Sequence, residues 1–183
     1  MSNAIIVAEG KLDIILLKKY LPQLEDASLR WFAAQGKMSL TTLARNILVH
    51  EGGPVLIVAD ADTLKRQRME EDRSMMLAVL GNVAGSEAFD VFCYMPEHEV
   101  IFFEAPGVLQ RYFPETYGEN VEIGKLDAKN TLESLLKGRH ESLVDWYAKL
   151  TPQDGELLRQ GVQAKQLLAK LEELLVLPEI EYA

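Results

Sequence analysis

Ala4-Ile5-Ile6-Val7-Ala8-Glu9-Gly10 and, further along, Val55-Leu56-Ile57-Val58-Ala59-Asp60-Ala61-Asp62 share one design, an apolar, largely β-branched run that ends on a carboxylate. A short apolar run without polar alternation reads as a strand buried on both faces. After the first run, Leu12, Ile15, Leu16, Lys19 and Tyr20 follow helical spacing up to Pro22; after the second, a helix is predicted from about Leu64 to Leu80. Between the two, Ser28 to Ala33 reads as a strand and Gly36-Lys37 as a turn. Leu40, Leu43, Ala44, Ile47 and Leu48 then form a helix face ending before Gly52-Gly53-Pro54. Ala88 to Met95 supplies a fourth strand. Strands alternating with helices predict an α/β, Rossmann-like fold: a parallel sheet of about four strands, helices on both faces and right-handed crossovers.

Beyond Pro114 an acidic, loop-like stretch is expected through Asp127, followed by helices near 129–138, 140–150 and 153–177. In the last, Leu157, Leu158, Val162, Leu167, Leu168, Leu171, Leu174 and Leu175 repeat mostly at three- and four-residue steps and read as one apolar stripe. That stripe suits packing onto the α/β part; a homodimer or partner interface is the alternative. The organisation read from the sequence is an α/β domain over residues 4–113 and a helical C-terminal extension over 128–177.

The chain has 183 residues, 48% apolar and 26% charged, the balance of an ordinary folded protein. It has no apolar run long enough for a membrane span and no secretion-type start, so a cytoplasmic protein without membrane association is expected. Cys93 is the single cysteine, which excludes an internal disulfide, and its apolar neighbours predict burial. A net charge of −9 argues at first against nucleic acid. Residues 1–68, however, hold nine Lys and Arg against seven Asp and Glu, a net of +2, whereas 69–183 hold ten against twenty-one, a net of −11. With Glu9, Asp13, Asp60 and Asp62 assigned to metal, the first part stands at about +6. The substrate face is therefore expected to be N-terminal.

In an open parallel sheet, ligands collect at the carboxyl ends of the strands. Glu9 ends the first strand, and Asp60 and Asp62 end the third. Their two-residue spacing, in extended chain, would send both Asp side chains to one side. Asp13 lies four residues past Glu9 on the first helical turn. Hard oxygen ligands at one edge suit Mg²⁺ or Mn²⁺, and such a site can activate water and stabilise a leaving oxygen. Structural roles compete: Asp62 could cap a helix and Asp13 could serve the helix dipole. Glu9, followed by glycine, has no capping task. Glu97, Glu99 and Glu104 follow the fourth strand and any of them could join the site; Glu99 is taken as a candidate further ligand, with a solvated helix start the alternative for Glu97 and Glu99. Lys37, in a turn at the same edge, can hold a phosphate as a point charge; Lys65, Arg66 and Arg68 could do so, although solvated charge is the commoner role. No P-loop ends Gly36-Lys37-Met38-Ser39, no serine sits in a nucleophile elbow, and His50, His98 and His140 show no ligand spacing.

Val7-Ala8-Glu9-Gly10-Lys11-Leu12-Asp13 and Val58-Ala59-Asp60-Ala61-Asp62, separated by a strand and a helix, resemble the two motifs of the Toprim domain of topoisomerases, bacterial primases and OLD-type nucleases. The Gly36-Lys37 turn is similar to one in its stand-alone and OLD-like branch. The resemblance covers about residues 4–113; Leu12 stands where the family more often has a small residue. It implies that Glu9 is the acid/base glutamate, that Asp60 and Asp62 are the metal-binding pair, and that Asp13 is the acidic residue of the glutamate–glycine motif. It further implies Mg²⁺- or Mn²⁺-dependent nuclease chemistry on DNA or RNA, beside a separate ATPase partner. A non-catalytic metal- or nucleotide-binding regulatory module is the alternative. A topoisomerase is disfavoured, because strand passage needs a nucleophilic tyrosine on a further domain.

Overall fold

Four strands, β1 (Ile5–Ala8), β2 (Arg30–Ala33), β3 (Val55–Asp60) and β4 (Phe89–Tyr94), form one sheet in the order β2-β1-β3-β4. All three neighbouring pairs are parallel, with Ile5 beside both Arg30 and Val55, and Val55 beside Phe89. The α/β class expected from the alternating runs is the one observed. This computed structural model describes residues 4–21 and 29–176. The helix end expected at Pro22, the strand start at Ser28 and the last helix's end at residue 177 lie outside the described residues. Among the described residues no helix is long and apolar enough to cross a membrane.

Successive strand side chains point to opposite faces, and both faces are covered. Val7, Ile57 and Val91 pack with Leu40, Ala44 and Ile47 of α2 (Lys37–His50) and with Leu80 of α3 (Arg66–Leu80). Ile6, Leu56, Val58 and Tyr94 look the other way, onto Leu16, Leu17 and Tyr20 of α1 (Lys11–Tyr20). Burial on both faces is why the central strands β1 and β3 carry no polar alternation. The α1 face differs from the expected one: Leu17 is buried, while Ile15 is 36% exposed.

After β4 the chain forms α4 (Ile101–Glu104), α5 (Gly107–Tyr112), α6 (Tyr117–Gly124), α7 (Ala128–Lys137), α8 (Leu143–Lys149), α9 (Pro152–Leu158) and α10 (Val162–Val176). Trp146 and Tyr147 of α8, Leu158 of α9, and Leu167 and Leu171 of α10 share one buried cluster with Ile6 and Leu56 of the sheet. Each such leucine stabilises the fold by about 1.5–3 kcal/mol through burial. Most of the leucine stripe is therefore spent within the chain, although Val162 is 61% exposed.

Two sequence expectations are corrected here. The stretch after Pro114 is not a continuous loop, because α6 occupies its middle. Local composition hides this helix, which is held by tertiary contact: a Cβ on Gly124 would lie 2.1 Å from ring atoms of Phe103. The helix expected over 153–177 is two helices. The break falls at Gly161, where a Cβ would lie 3.1 Å from Oε2 of Glu104, and that same oxygen accepts the Gln163 N–H at 2.8 Å, capping the start of α10.

The exposed edge of β4 is covered by side chains. The Gln163 amide accepts from Met95 N–H at 2.7 Å and donates to Met95 C=O at 2.8 Å, as a neighbouring strand would, and Arg73 Nε donates to Val91 C=O at 2.8 Å.

Candidate metal centre

From β1 the sheet continues on one side to β2, and from β3 on the other to β4. The loops leaving the carboxyl ends of β1 and β3 therefore part, and the crevice between them is where such sheets bind ligands. Glu9 and Asp60 stand on its two lips. They are tied together, since the Asp60 N–H donates to Oε1 of Glu9 at 3.0 Å. The first residue past β1 and the last of β3 thus lock by one hydrogen bond.

Asp60 is the most perturbed carboxyl of the group. Burial first, and then the charges of Glu99, Asp13 and Glu9, push it up to about 8, against a hydrogen bond from the His98 N–H to Oδ1 at 2.8 Å. Like charges gathered in a low-dielectric crevice disfavour ionisation in this way. Burial also raises Glu9, with Asp62 and Asp13 adding to it and the Asp60 N–H and Lys37 opposing. Asp13 behaves differently. Burial acts to raise it, but His98 and the Gly10 N–H outweigh burial and hold it below the ordinary carboxylate range. Its Oδ2 accepts from Gly10 N–H at 2.7 Å, so the helix-start role weighed from sequence is real, while Oδ1 faces His98 Nδ1 at 3.7 Å.

Asp62 stands apart from the spacing argument. The strand ends at Asp60, and Asp62 has φ 53°, so the chain is not extended there and the two Asp side chains are not paired by strand geometry. Nor does Asp62 cap α3, which begins at Arg66. Its Oδ2 instead accepts from Lys37 Nζ at 2.7 Å, on the open side of Glu9. Burial would lower Lys37, but Asp62 and Glu9 prevail and raise it. The acids thus form an inner group of Asp60, Asp13 and Glu99, of which Glu99 is buried and the other two half-buried, and an outer Asp62 paired with Lys37, with Glu9 between them.

Of the glutamates after β4, Glu99 is 6% exposed and accepts from Tyr147 Oη at 3.1 Å. Glu97 accepts the backbone N–H of Lys129 at 2.9 Å. Glu104 belongs to the α10 cap, not to this edge. Arg68 turns to Asp72 at 3.4 Å in its own helix, the solvated role. Cys93 is half-buried, and burial pushes its thiol up to about 11, away from reactivity.

Sequence reasoning missed four contributors. His98, set aside for lack of ligand spacing, is 1% exposed and lies between Asp13 and Asp60. Lys129 is raised by Glu99, Glu133, Asp60 and Glu97 against the lowering effect of burial, which sets its ammonium in the field of the inner acids. Tyr147 holds Glu99, and Tyr20 holds His98. Only His98 left a usable signal, its position between two glutamates directly after a strand.

The donor set fits a hard divalent cation in kind. Glu9, Asp60, Asp62 and Glu99 each use one oxygen in the hydrogen bonds above, and the second oxygen of each accepts none among the described residues. Among the described residues, however, no three His, Cys, Asp or Glu side chains are grouped so that they could hold an ion as they stand.

No family model and no curated protein matches the sequence. Among solved structures the chain is similar to the C-terminal region of the Burkholderia pseudomallei OLD protein, over 96% of this chain and 100% of that one, at 14% identity and a TM-score of 0.48.

Proposed function

We propose that this chain cleaves phosphodiester bonds of nucleic acid, DNA or RNA, with the help of Mg²⁺ or Mn²⁺. One observation carries the reading. Asp60, at the crevice where the sheet's direction of winding switches, is pushed up to about 8 by burial and by the charges of Glu99, Asp13 and Glu9, and a divalent cation would relieve that repulsion. The resemblance of the two motifs to the Toprim pattern supports the same chemistry.

In this reading Asp60 and Asp62, joined by Asp13 and Glu99, are the ligands. A bound cation would polarise the phosphoryl oxygens and make a nucleophile available near neutral pH. Glu9, raised by burial, exchanges a proton with the nucleophile or the leaving oxygen. Lys37 on the open side and Lys129 on the inner side hold substrate phosphate as point charges. The chain has no P-loop of its own, and the resemblance supports action beside a separate ATPase.

A non-catalytic metal- or nucleotide-binding module is the second reading, favoured by the absence, among the described residues, of three ligands already grouped for an ion. A cleavage assay with Mn²⁺ and Mg²⁺ on plasmid, single-stranded DNA and structured RNA separates the two. Glu9→Gln should cut about 10²-fold more slowly than wild type while keeping part of its metal-induced stabilisation. Equal rates for both proteins would assign the activity to a contaminant, and no cleavage of any substrate would favour the binding module.

A further inference from the structure

His98 is enclosed on every side. Its ring stacks on Tyr94 with centroids 4.4 Å apart, and the edge of Tyr20 closes the next face at 5.7 Å. Nε2 lies 2.8 Å from Tyr20 Oη, and that hydroxyl also makes a short contact with Tyr94 Oη. The opposite nitrogen, Nδ1, has no hydrogen-bond partner and faces Asp13 Oδ1 at 3.7 Å.

Counting protons fixes the tautomer of the neutral ring. If Nε2 carried the proton it would donate to Tyr20, Tyr20 would donate to Tyr94, and the Tyr94 hydroxyl proton would be left without an acceptor in a side chain of 0% exposure. The bare lone pair of Nδ1 would also face a carboxylate. Leaving a buried donor unsatisfied carries a penalty. In the other arrangement Tyr94 donates to Tyr20, Tyr20 donates to Nε2, and Nδ1–H points at Asp13. Every buried proton then has an acceptor or a carboxylate ahead of it.

We propose that His98 is the positioning residue of the acidic site: its Nδ1–H, set by the Tyr94–Tyr20 pair, orients Oδ1 of Asp13 while its backbone N–H holds Oδ1 of Asp60. This rests on the proposal that these carboxylates bind a divalent cation. One residue then fixes the relative placement of two ligands carried by different elements, α1 and β3. Partners of this kind, one shell out from the ligands, typically change metal affinity by about 10- to 100-fold.

Two measurements test it. Nitrogen-15 NMR of metal-free protein labelled at its three histidines, with His50→Gln and His140→Gln at exposed positions giving the assignment, should show His98 as the Nδ1–H tautomer. The Nε2–H tautomer would overturn the proposal whether or not metal binds. Calorimetric titration with Mn²⁺ then compares two substitutions that lose the tyrosine stack alike. His98→Asn places an amide N–H near the position of Nδ1 and should stay within about threefold of wild type. His98→Gln places its amide near Nε2 and should bind about tenfold more weakly or worse. Equal affinities for the two would reduce His98 to packing and overturn the proposal. Should His98→Gln fail to fold, Tyr20→Phe, which removes only the hydroxyl that sets the ring, should weaken Mn²⁺ binding, and unchanged affinity would count against it. A wild type that binds no Mn²⁺ would instead refute the metal reading, leaving the tautomer to decide the orientation of the ring.

Discussion

Replacing Asp60 by Asn should stabilise the metal-free protein. In the fold this carboxyl titrates at about 8 against an ordinary 3.8, so near neutral pH the folded chain holds a proton that the unfolded chain has released. A folded pKa above the unfolded one favours folding in acid, and the advantage is lost as pH rises through the interval from 3.8 to about 8. At pH 7 this amounts to about 4 kcal/mol against folding as a ceiling, from roughly three pH units at about 1.4 kcal/mol each. Relaxation and water penetration in a partly open crevice raise the effective dielectric and bring the figure to about 2 kcal/mol. Asn keeps an oxygen for the His98 N–H and has no charge to bury. In a chain of this length the variant should melt about 4–8 °C above wild type in EDTA at pH 7. At pH 5 the gain should fall by roughly half or more, because the unfolded carboxyl is by then closer to its own pKa. Millimolar Mg²⁺ should raise wild type and leave Asp60→Asn in place. Scanning calorimetry reads all three conditions, and an Asp60→Asn protein that melts below wild type in EDTA at pH 7 would refute the repulsion argument.

Cation binding must displace the Asp60 proton, so Mn²⁺ affinity should tighten by up to about tenfold per pH unit below about 8 and level off above it; an affinity constant from pH 6 to 8 would remove Asp60 from the ligand set. Gly155→Ala places a methyl 2.1 Å from the Lys19 carbonyl oxygen, where α9 crosses the end of α1, and should lower stability by about 1–3 kcal/mol. Gly118→Ala in α6, with nothing within 4 Å of the new methyl, should be neutral or stabilising by up to about 1 kcal/mol, and equal thermal shifts for the two alanines would contradict the close-approach argument. Deleting residues 153–183 uncovers apolar side chains packed against Leu158, Leu167 and Leu171, so the shortened chain should aggregate or melt well below the full one; an unchanged melting profile would show that α10 adds nothing to the core.

The two central strands, β1 and β3, were legible because both faces of each are covered, which writes an unbroken apolar run into the sequence, and Glu9 and Asp60 were legible because a carboxylate closing such a run is conspicuous. What escaped depended on contacts distant in the chain. Tyr147 reaches Glu99 from 48 residues away, and nothing in its local setting marks it. Lys129 sits in a stretch that reads as an ordinary helix start. Asp62 was placed by assuming the strand conformation continues, whereas a positive φ ends it there. The single helix expected at the C-terminus followed a run of leucines read as one period despite the five-residue step from Val162 to Leu167, and such a run does not register that Glu104 caps a new helix at Gly161. His98 was judged by ligand spacing along the chain, while its neighbours in space come from α1 and the strand ends.

The cluster joining Trp146 and Tyr147 to Ile6 and Leu56 bears on how the protein is made. A ribosome delivers the four strands and all the acidic residues named at the sheet edge well before α8, so for that interval one side of the sheet has α1 on it but lacks the cover of α8, α9 and α10. The part of that apolar face that α1 leaves open then meets water or whatever binds nascent apolar surface, and Glu99 has no Tyr147 to hold it. Domains generally fold as units during synthesis. Here the unit closes only when the last third of the chain has emerged, which makes premature termination in that third a source of sticky, incompletely assembled product.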